Sequence, residues 1–169
     1  MLLSKDTGRF FLGSYTVLLP TISKFWRLSL NSGAERNMNI KFGYTIIYVP
    51  SVKEALDFYK RAFGFEIKMI LDSGEWGELN TGATTLSFAA HEMGRINLDD
   101  KYQKADIKEL PFGIELSFIT DDVQAVFDRA VSAGAIPLRE PAEKPWGQTV
   151  SYVRAMDGTV IEIATQVGE

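Results

Sequence analysis

The chain has 169 residues, 46% hydrophobic and 24% charged, an ordinary globular composition that can bury one sizeable core. Its net charge of −4 argues against a nucleic-acid binder, because phosphate binding needs a basic face. There is no cysteine and one histidine, His91, which excludes disulfide frameworks, thiolate zinc sites, cysteine nucleophiles and any scheme needing two histidines.

Charge divides the chain near Met38. Five basic side chains (Lys5, Arg9, Lys24, Arg27, Arg36) against two acidic ones (Asp6, Glu35) leave +3 in residues 1–37, so the rest carries −7. The apolar run Phe10–Ile22 is broken by Gly13, Ser14, Thr16 and Pro20, and falls short of the roughly 20 apolar residues of a membrane span. Residues 1–37 read as a poorly ordered leader, or as a start assigned ahead of the true one at Met38. A signal peptide is the alternative, but no clear small-x-small cleavage site follows closely. Residues 38–169 are expected to form a single domain.

From Phe42 to Val49 the sequence is rich in β-branched and aromatic residues and predicts a strand ended by Pro50-Ser51. Apolar residues at 52, 55, 56, 59, 62 and 63 then follow helical spacing. Ser51 with Glu54 forms a capping-box signature, and Gly64 suits a left-handed stop. Three strand-like runs follow: Phe65–Leu71, Trp76–Asn80 and Thr84–Ala90, with Asp72-Ser73-Gly74 as a hairpin turn.

Residues 91–111 are charged and polar without clear periodicity, and predict an exposed crossover that also folds over a cleft. His91 falls at its start, where a lone histidine reads as an exposed loop residue.

The same grammar then repeats. Phe112–Thr120 predicts a strand, and Asp121 or Asp122 can cap a helix with apolar positions Val123, Val126, Phe127, Ala130 and Ala133, closed by Gly134. Ala135–Leu138, Gln148–Arg154 and Thr159–Thr165 predict three further strands, with a turn at Asp157-Gly158. Trp76-Gly77 and Trp146-Gly147 correspond, each placed where a post-helix strand begins. The fold class expected is α+β: two βαβββ modules, about residues 40–90 and 112–166, forming a curved mixed sheet around a central cleft.

At this point the chain resembles the glyoxalase/bleomycin-resistance/extradiol-dioxygenase (vicinal oxygen chelate) superfamily. The resemblance rests on Val49-Pro50-Ser51-Val52 through Tyr59 and Phe63-Gly64-Phe65, on Asp121-Asp122-Val123 leading to Ala133-Gly134-Ala135, and on Asp157-Gly158-Thr159-Val160-Ile161-Glu162. It covers roughly residues 40–166. It implies a metal held in the cleft by His, Glu or Gln from strands of both modules. Carried over position by position, those ligand places fall on Tyr44, Ser87 (or, with a one-residue slip, Leu86), Glu115 and Glu162.

Alternation places Glu115 between Ile114 and Leu116, and Glu162 between Ile161 and Ile163, so both glutamates point away from a buried face. That is also how the solvated face of any strand looks. A tyrosine phenol is protonated at neutral pH and is a poor ligand for zinc or nickel, and serine is hardly better. No metal or other cofactor is therefore favoured; if one is held, Glu115 and Glu162 would bind a hard divalent ion weakly.

Without a metal, Glu115, Glu162 and Tyr44 remain the candidate catalytic groups, the carboxylates as general bases and the phenol as hydrogen-bond donor. Ser87, Trp76, Trp146, Tyr152 and Phe88 are candidate ligand-binding residues, although core is the commoner place for each aromatic; Trp146, between Pro145 and Gly147, best suits an exposed one. Three functions stay open: a small-molecule-binding protein of the resistance type, a lactoylglutathione-lyase-like lyase or isomerase, and a domain serving only assembly. The resemblance allows a homodimer. A cytoplasmic protein without nucleic-acid or membrane partners is expected.

Overall fold

The computed structural model describes residues 40–168, so the expectations for the 1–37 leader and the Met38 start lie outside the described residues. The first strand, β1 (Tyr44–Val49), leads through Ser51 into helix α1 (Val52–Phe63). The Ser51 side chain accepts from the Glu54 N–H, and Gly64 ends the helix at φ 78°, a conformation that suits glycine. Strands β2 (Glu66–Ile70), β3 (Trp76–Asn80) and β4 (Thr85–Ala90) complete the first module. The second module is β5 (Glu115–Ile119), helix α3 (Val123–Ser132), β6 (Ile136–Glu143), β7 (Thr149–Arg154) and β8 (Val160–Ala164). Asp122 caps α3 by accepting from the Ala125 N–H at 3.0 Å.

The two modules form two four-stranded mixed sheets, ordered β1-β4-β3-β2 and β5-β8-β7-β6, and the α+β class is as expected. In each, the first strand pairs parallel with the last and the rest are antiparallel. The sheets are not hydrogen-bonded to each other and close no barrel, so β1 and β5 are both edge strands.

One core serves both modules. Leu56, Phe58 and Tyr59 of α1 and Phe127 and Ala130 of α3 are buried with Leu79, Phe88, Val153, Ile161 and Ile163 of the sheets. Each of the larger of these side chains removes enough apolar surface to contribute about 1.5–3 kcal/mol. The helices touch directly: Arg129 Nε donates to the Ala62 carbonyl at 2.8 Å. Phe118 of β5 packs edge-on against Phe63 and Phe65 at 4.9 and 5.0 Å between ring centres. Gly77 permits the close approach of β3 to α1, because a Cβ there would sit 2.6 Å from Leu56 Cδ1 and 2.9 Å from Val52 Cγ1.

The segment between the modules corrects the expected featureless crossover. His91–Leu98 is an α-helix, α2, and His91 is its first residue rather than an exposed loop residue. Its Nδ1 lies 3.1 Å from the Tyr102 hydroxyl. Tyr102 fills the notch left by Gly94, which is too tight for any Cβ, and so packs the following segment against α2. Strand β6 runs five residues past the expected Leu138, and Trp146 lies in the turn before β7 whereas Trp76 opens β3, so the two Trp-Gly pairs are not equivalent. Among the described residues no helix is long and apolar enough to cross a membrane.

Candidate functional site

Alternation along each strand separates a core face from an open face. Ile47 and Val49 of β1, Leu86 and Phe88 of β4, Leu79 of β3, Leu116 and Phe118 of β5, and Ile161 and Ile163 of β8 belong to the core. Tyr44, Ser87, Trp76, Glu115, Tyr152 and Glu162 therefore occupy the opposite faces of their sheets, where Ser87 alone is fully buried. Phe88, expected among them, does not: its ring is fully buried, 4.9 Å from that of Tyr59.

The strand registers relate the two open faces. Ile46, Ser87 and Glu78 lie side by side across β1, β4 and β3. Ser117, Glu162 and Tyr152 do so across β5, β8 and β7. Tyr44 and Glu115 each sit two residues before the first of these triplets, so Tyr44 is equivalent to Glu115, Ser87 to Glu162, and Glu78 to Tyr152. Each module thus carries one carboxylate in its central triplet, displaced by one strand between the two.

In the second module, both oxygens of Glu162 are engaged. Oε1 accepts from Ser117 Oγ and Oε2 from the Tyr152 hydroxyl, each at 2.7 Å. The bond to Glu162 pushes the Tyr152 phenol up to about 12, with burial and the nearby charges of Glu162 and Glu115 adding to it. Glu115 is exposed and takes part in none of the ion pairs among the described residues. Lys144 Nζ lies 6.0 Å from the centre of the Tyr152 ring, a cation–π distance. Trp146 is 63% exposed in the adjoining turn, where its Nε1 donates to Gln148 Oε1 at 3.0 Å.

In the first module the sequence reading missed two residues. Glu78 is only 6% exposed and receives Lys68 Nζ at 2.7 Å and Trp76 Nε1 at 3.1 Å. The hydrogen bond from Lys68 holds its carboxyl below the usual range, against the opposing effect of burial. The Tyr44 ring packs edge-on to Trp76 at 6.2 Å. Beside Glu78, the buried Ser87 Oγ has no hydrogen-bond partner among the described residues. The signal for Glu78 was present: it alternates with Gly77 and Leu79 as Glu162 does with its isoleucines, and the repeat aligns it with Tyr152.

The structure therefore groups Tyr44, Trp76 and Ser87 on one sheet with Glu78 and Lys68, and Glu115, Tyr152 and Glu162 on the other with Ser117. No hydrogen bond among the described residues joins the groups. Of all these residues, Glu115 and Ser117 alone line the seam between the β1 and β5 edges, where two cavities of about 480 and 260 Å³ share Thr45 and Leu116.

The segment after α2 is strapped across this seam at two points. The Tyr102 ring packs on Tyr48 of β1 at 5.1 Å. Arg154 of β7, on the same face as Tyr152, donates to the carbonyls of Asp106, Glu109 and Gly158 at 2.8, 2.5 and 3.2 Å. His91 is held below the usual imidazole range, first by burial and then by Lys104.

This donor set does not fit a divalent metal. Each oxygen of Glu162 already accepts a hydroxyl donor, and those of Glu78 an ammonium and an indole N–H, which leaves Glu115 as the free carboxylate among these three. Among the described residues no three His, Cys, Asp or Glu side chains are grouped to hold an ion.

Residues 42–168 match the model of the glyoxalase-like domain. No curated protein is similar to the chain in sequence. Among solved structures, the chain is similar to a glyoxalase-related enzyme from Fulvimarina pelagi, with 18% identity and a TM-score of 0.65 over 75% of this chain and 88% of that one. It is also similar to a glyoxalase/bleomycin resistance protein/dioxygenase family enzyme from Burkholderia phytofirmans PsJN, with 20% identity and a TM-score of 0.59 over 75% and 98% of the two chains. A superfamily member from Sphaerobacter thermophilus DSM 20745 gives 19% identity and a TM-score of 0.59 over 76% and 99%. At these identities the structures speak for the fold, while the domain match spans most of the chain: the protein belongs to the glyoxalase-like domain family.

Proposed function

We propose that the protein binds a small cationic or hydroxyl-rich molecule on the open faces of its two sheets, without a metal. The observation that carries this reading is the second module's acidic face. Glu162 is fixed in place by Ser117 and Tyr152, and Glu115 stands exposed nearby with no cation of its own among the described ion pairs. A fixed carboxylate beside a free one favours a ligand that brings positive charge or hydroxyl donors. Tyr44 and Trp76 supply aromatic surface on the other sheet, and Trp146 stands exposed at the rim. A homodimer belongs to this reading.

Isothermal titration of the purified protein with a panel of small amines, polyols and divalent ions tests it. Binding of amines or polyols that weakens at least tenfold in Glu115→Gln is expected. Tight stoichiometric binding of a divalent ion, lost in Glu162→Gln, would contradict it.

The alternative, a lyase or isomerase, has one specific observation in its favour: the unpaired Glu115 is free to take a proton. It predicts turnover of a carbonyl or thiohemiacetal substrate that disappears in Glu115→Gln. Glu162 serves it poorly, because both its oxygens already accept hydrogen bonds.

A further inference from the structure

The two seam cavities differ in chemistry along one line. The larger, of about 480 Å³, is of mixed chemistry: the Glu115 carboxylate and the hydroxyls of residues such as Thr84 and Ser117 stand among the apolar Phe65, Leu86 and Phe118. The smaller, of about 260 Å³, is floored by Ile46, Tyr48 and Ile114 and roofed by Tyr102, Ala105 and Phe112. They are contiguous through Thr45 and Leu116, and Ile114 is chain neighbour to Glu115. A groove of mixed lining that carries one carboxylate, Glu115, therefore runs into a largely apolar chamber under the linker.

Three features make the chamber a built site. Its roof is held by Tyr102, tied to His91 and packed at a tilt on Tyr48. The roof segment is also gripped by Arg154 through the Asp106 and Glu109 carbonyls. Its volume has room for about eight methylene-sized groups, taking a water's roughly 30 Å³ as the unit. An apolar chamber of this size, with one carboxylate at its mouth, selects by both charge and chain length.

We propose that the ligand is a cationic amphiphile: an amine or ammonium head against Glu115 and the threonine hydroxyls, and a compact apolar tail of up to about eight carbons under the Tyr102–Phe112 roof. This rests on the acidic-face reading above and adds the tail, the chamber and the role of the linker as its roof. A small purely polar amine would use the head groove alone and bind weakly.

The test is calorimetric titration of the full chain with ethylamine, n-butylamine, n-hexylamine, n-octylamine and n-octanol. Affinity of the amines is expected to rise by roughly fourfold per added methylene until the chamber is full. Ala105→Phe, which fills the roof, is expected to remove the chain-length dependence and weaken n-octylamine at least tenfold. Glu115→Gln is expected to weaken every amine while leaving n-octanol unchanged.

Amine binding that is lost in Glu115→Gln but is indifferent to chain length and to Ala105→Phe would overturn the chamber and leave the acidic-face reading standing. Chain-length dependence equal for amines and octanol, with no effect of Glu115→Gln, would overturn the cationic head and that reading with it. Because the chain-length series is measured on the unaltered protein, a folding defect in Ala105→Phe, visible by circular dichroism, does not shelter the proposal. Failure of n-octylamine to bind overturns it outright.

Discussion

Removing the Arg154 guanidinium tests how the linker is held. The side chain is 7% exposed and donates to three backbone carbonyls, two of them in the linker at Asp106 and Glu109 and one at the Gly158 turn. A hydrogen bond from a charged donor contributes about 1.5–3 kcal/mol, and a buried acceptor left alone costs about 1–3 kcal/mol. Asp106 and Glu109 are exposed residues whose carbonyls can return to water, whereas Gly158 is buried. The three bonds are thus not lost at full value, and Arg154→Ala should destabilise the protein by about 2–4 kcal/mol.

Urea unfolding should show the midpoint falling at unchanged slope. The loss should also be local. The Lys108 and Glu109 amides, which bond Asp106 Oδ1 and the Asp106 carbonyl, should exchange with deuterium faster than amides in β7 and β8. Arg154→Lys keeps the charge but offers a single compact donor group in place of the fork, and should fall between. A loss under about 0.5 kcal/mol, the range of an ordinary surface change, or unchanged exchange at 108 and 109, would refute the view that Arg154 secures the linker.

Gly77→Ala should cost about 1–3 kcal/mol by driving a methyl into Leu56 and Val52, measured by urea unfolding, while an alanine at the open Gly43 should cost far less. Asp122→Ala should cost about 1 kcal/mol in the same assay through loss of the α3 cap. Burial raises the Asp157 carboxyl above its ordinary 3.8, so the folded state holds this proton more tightly than the unfolded chain, and stability falls as pH rises from 3.8 through the raised value. Asp157→Asn, which keeps an oxygen for the Thr159 N–H, should therefore be more stable than the parent at neutral pH and lose that advantage in acid; equal urea midpoints at pH 7 would refute this.

Tyr59 bears on the last case. Burial first, and then the Asp157 charge, raise the Tyr59 phenol, yet neither its hydroxyl nor Asp157 Oδ2 has a partner in hydrogen-bond geometry among the described residues. The pair is a polar gap in an otherwise apolar core, and the asparagine variant offers an amide donor to it.

Strand and helix order was legible because it is written in local periodicity. Ser51, Gly64 and Asp122 act at their caps through neighbours three or four residues away, and the repeat made the two modules visible before any contact was known. The equivalence of Tyr44 with Glu115 and of Ser87 with Glu162 was legible for the same reason, since alternation and the repeat give the face and the register.

Contacts between distant residues decided the rest. Phe88 and Trp76 are both aromatics on strands; alternation sets Phe88 on the face opposite Ser87, and the packing of α1 makes that face the core while Trp76 stays beside Tyr44. The face of Glu78 was legible in the alternation, but not its pairing: Lys68, ten residues earlier, crosses the β2–β3 hairpin to meet it. The linker looked structureless because its order comes from Tyr102 on Tyr48 and Arg154 on two carbonyls nearly fifty residues away. Local propensity chose the elements; the seam, its roof and the pairing state of each carboxylate exist only once two sheets share one core.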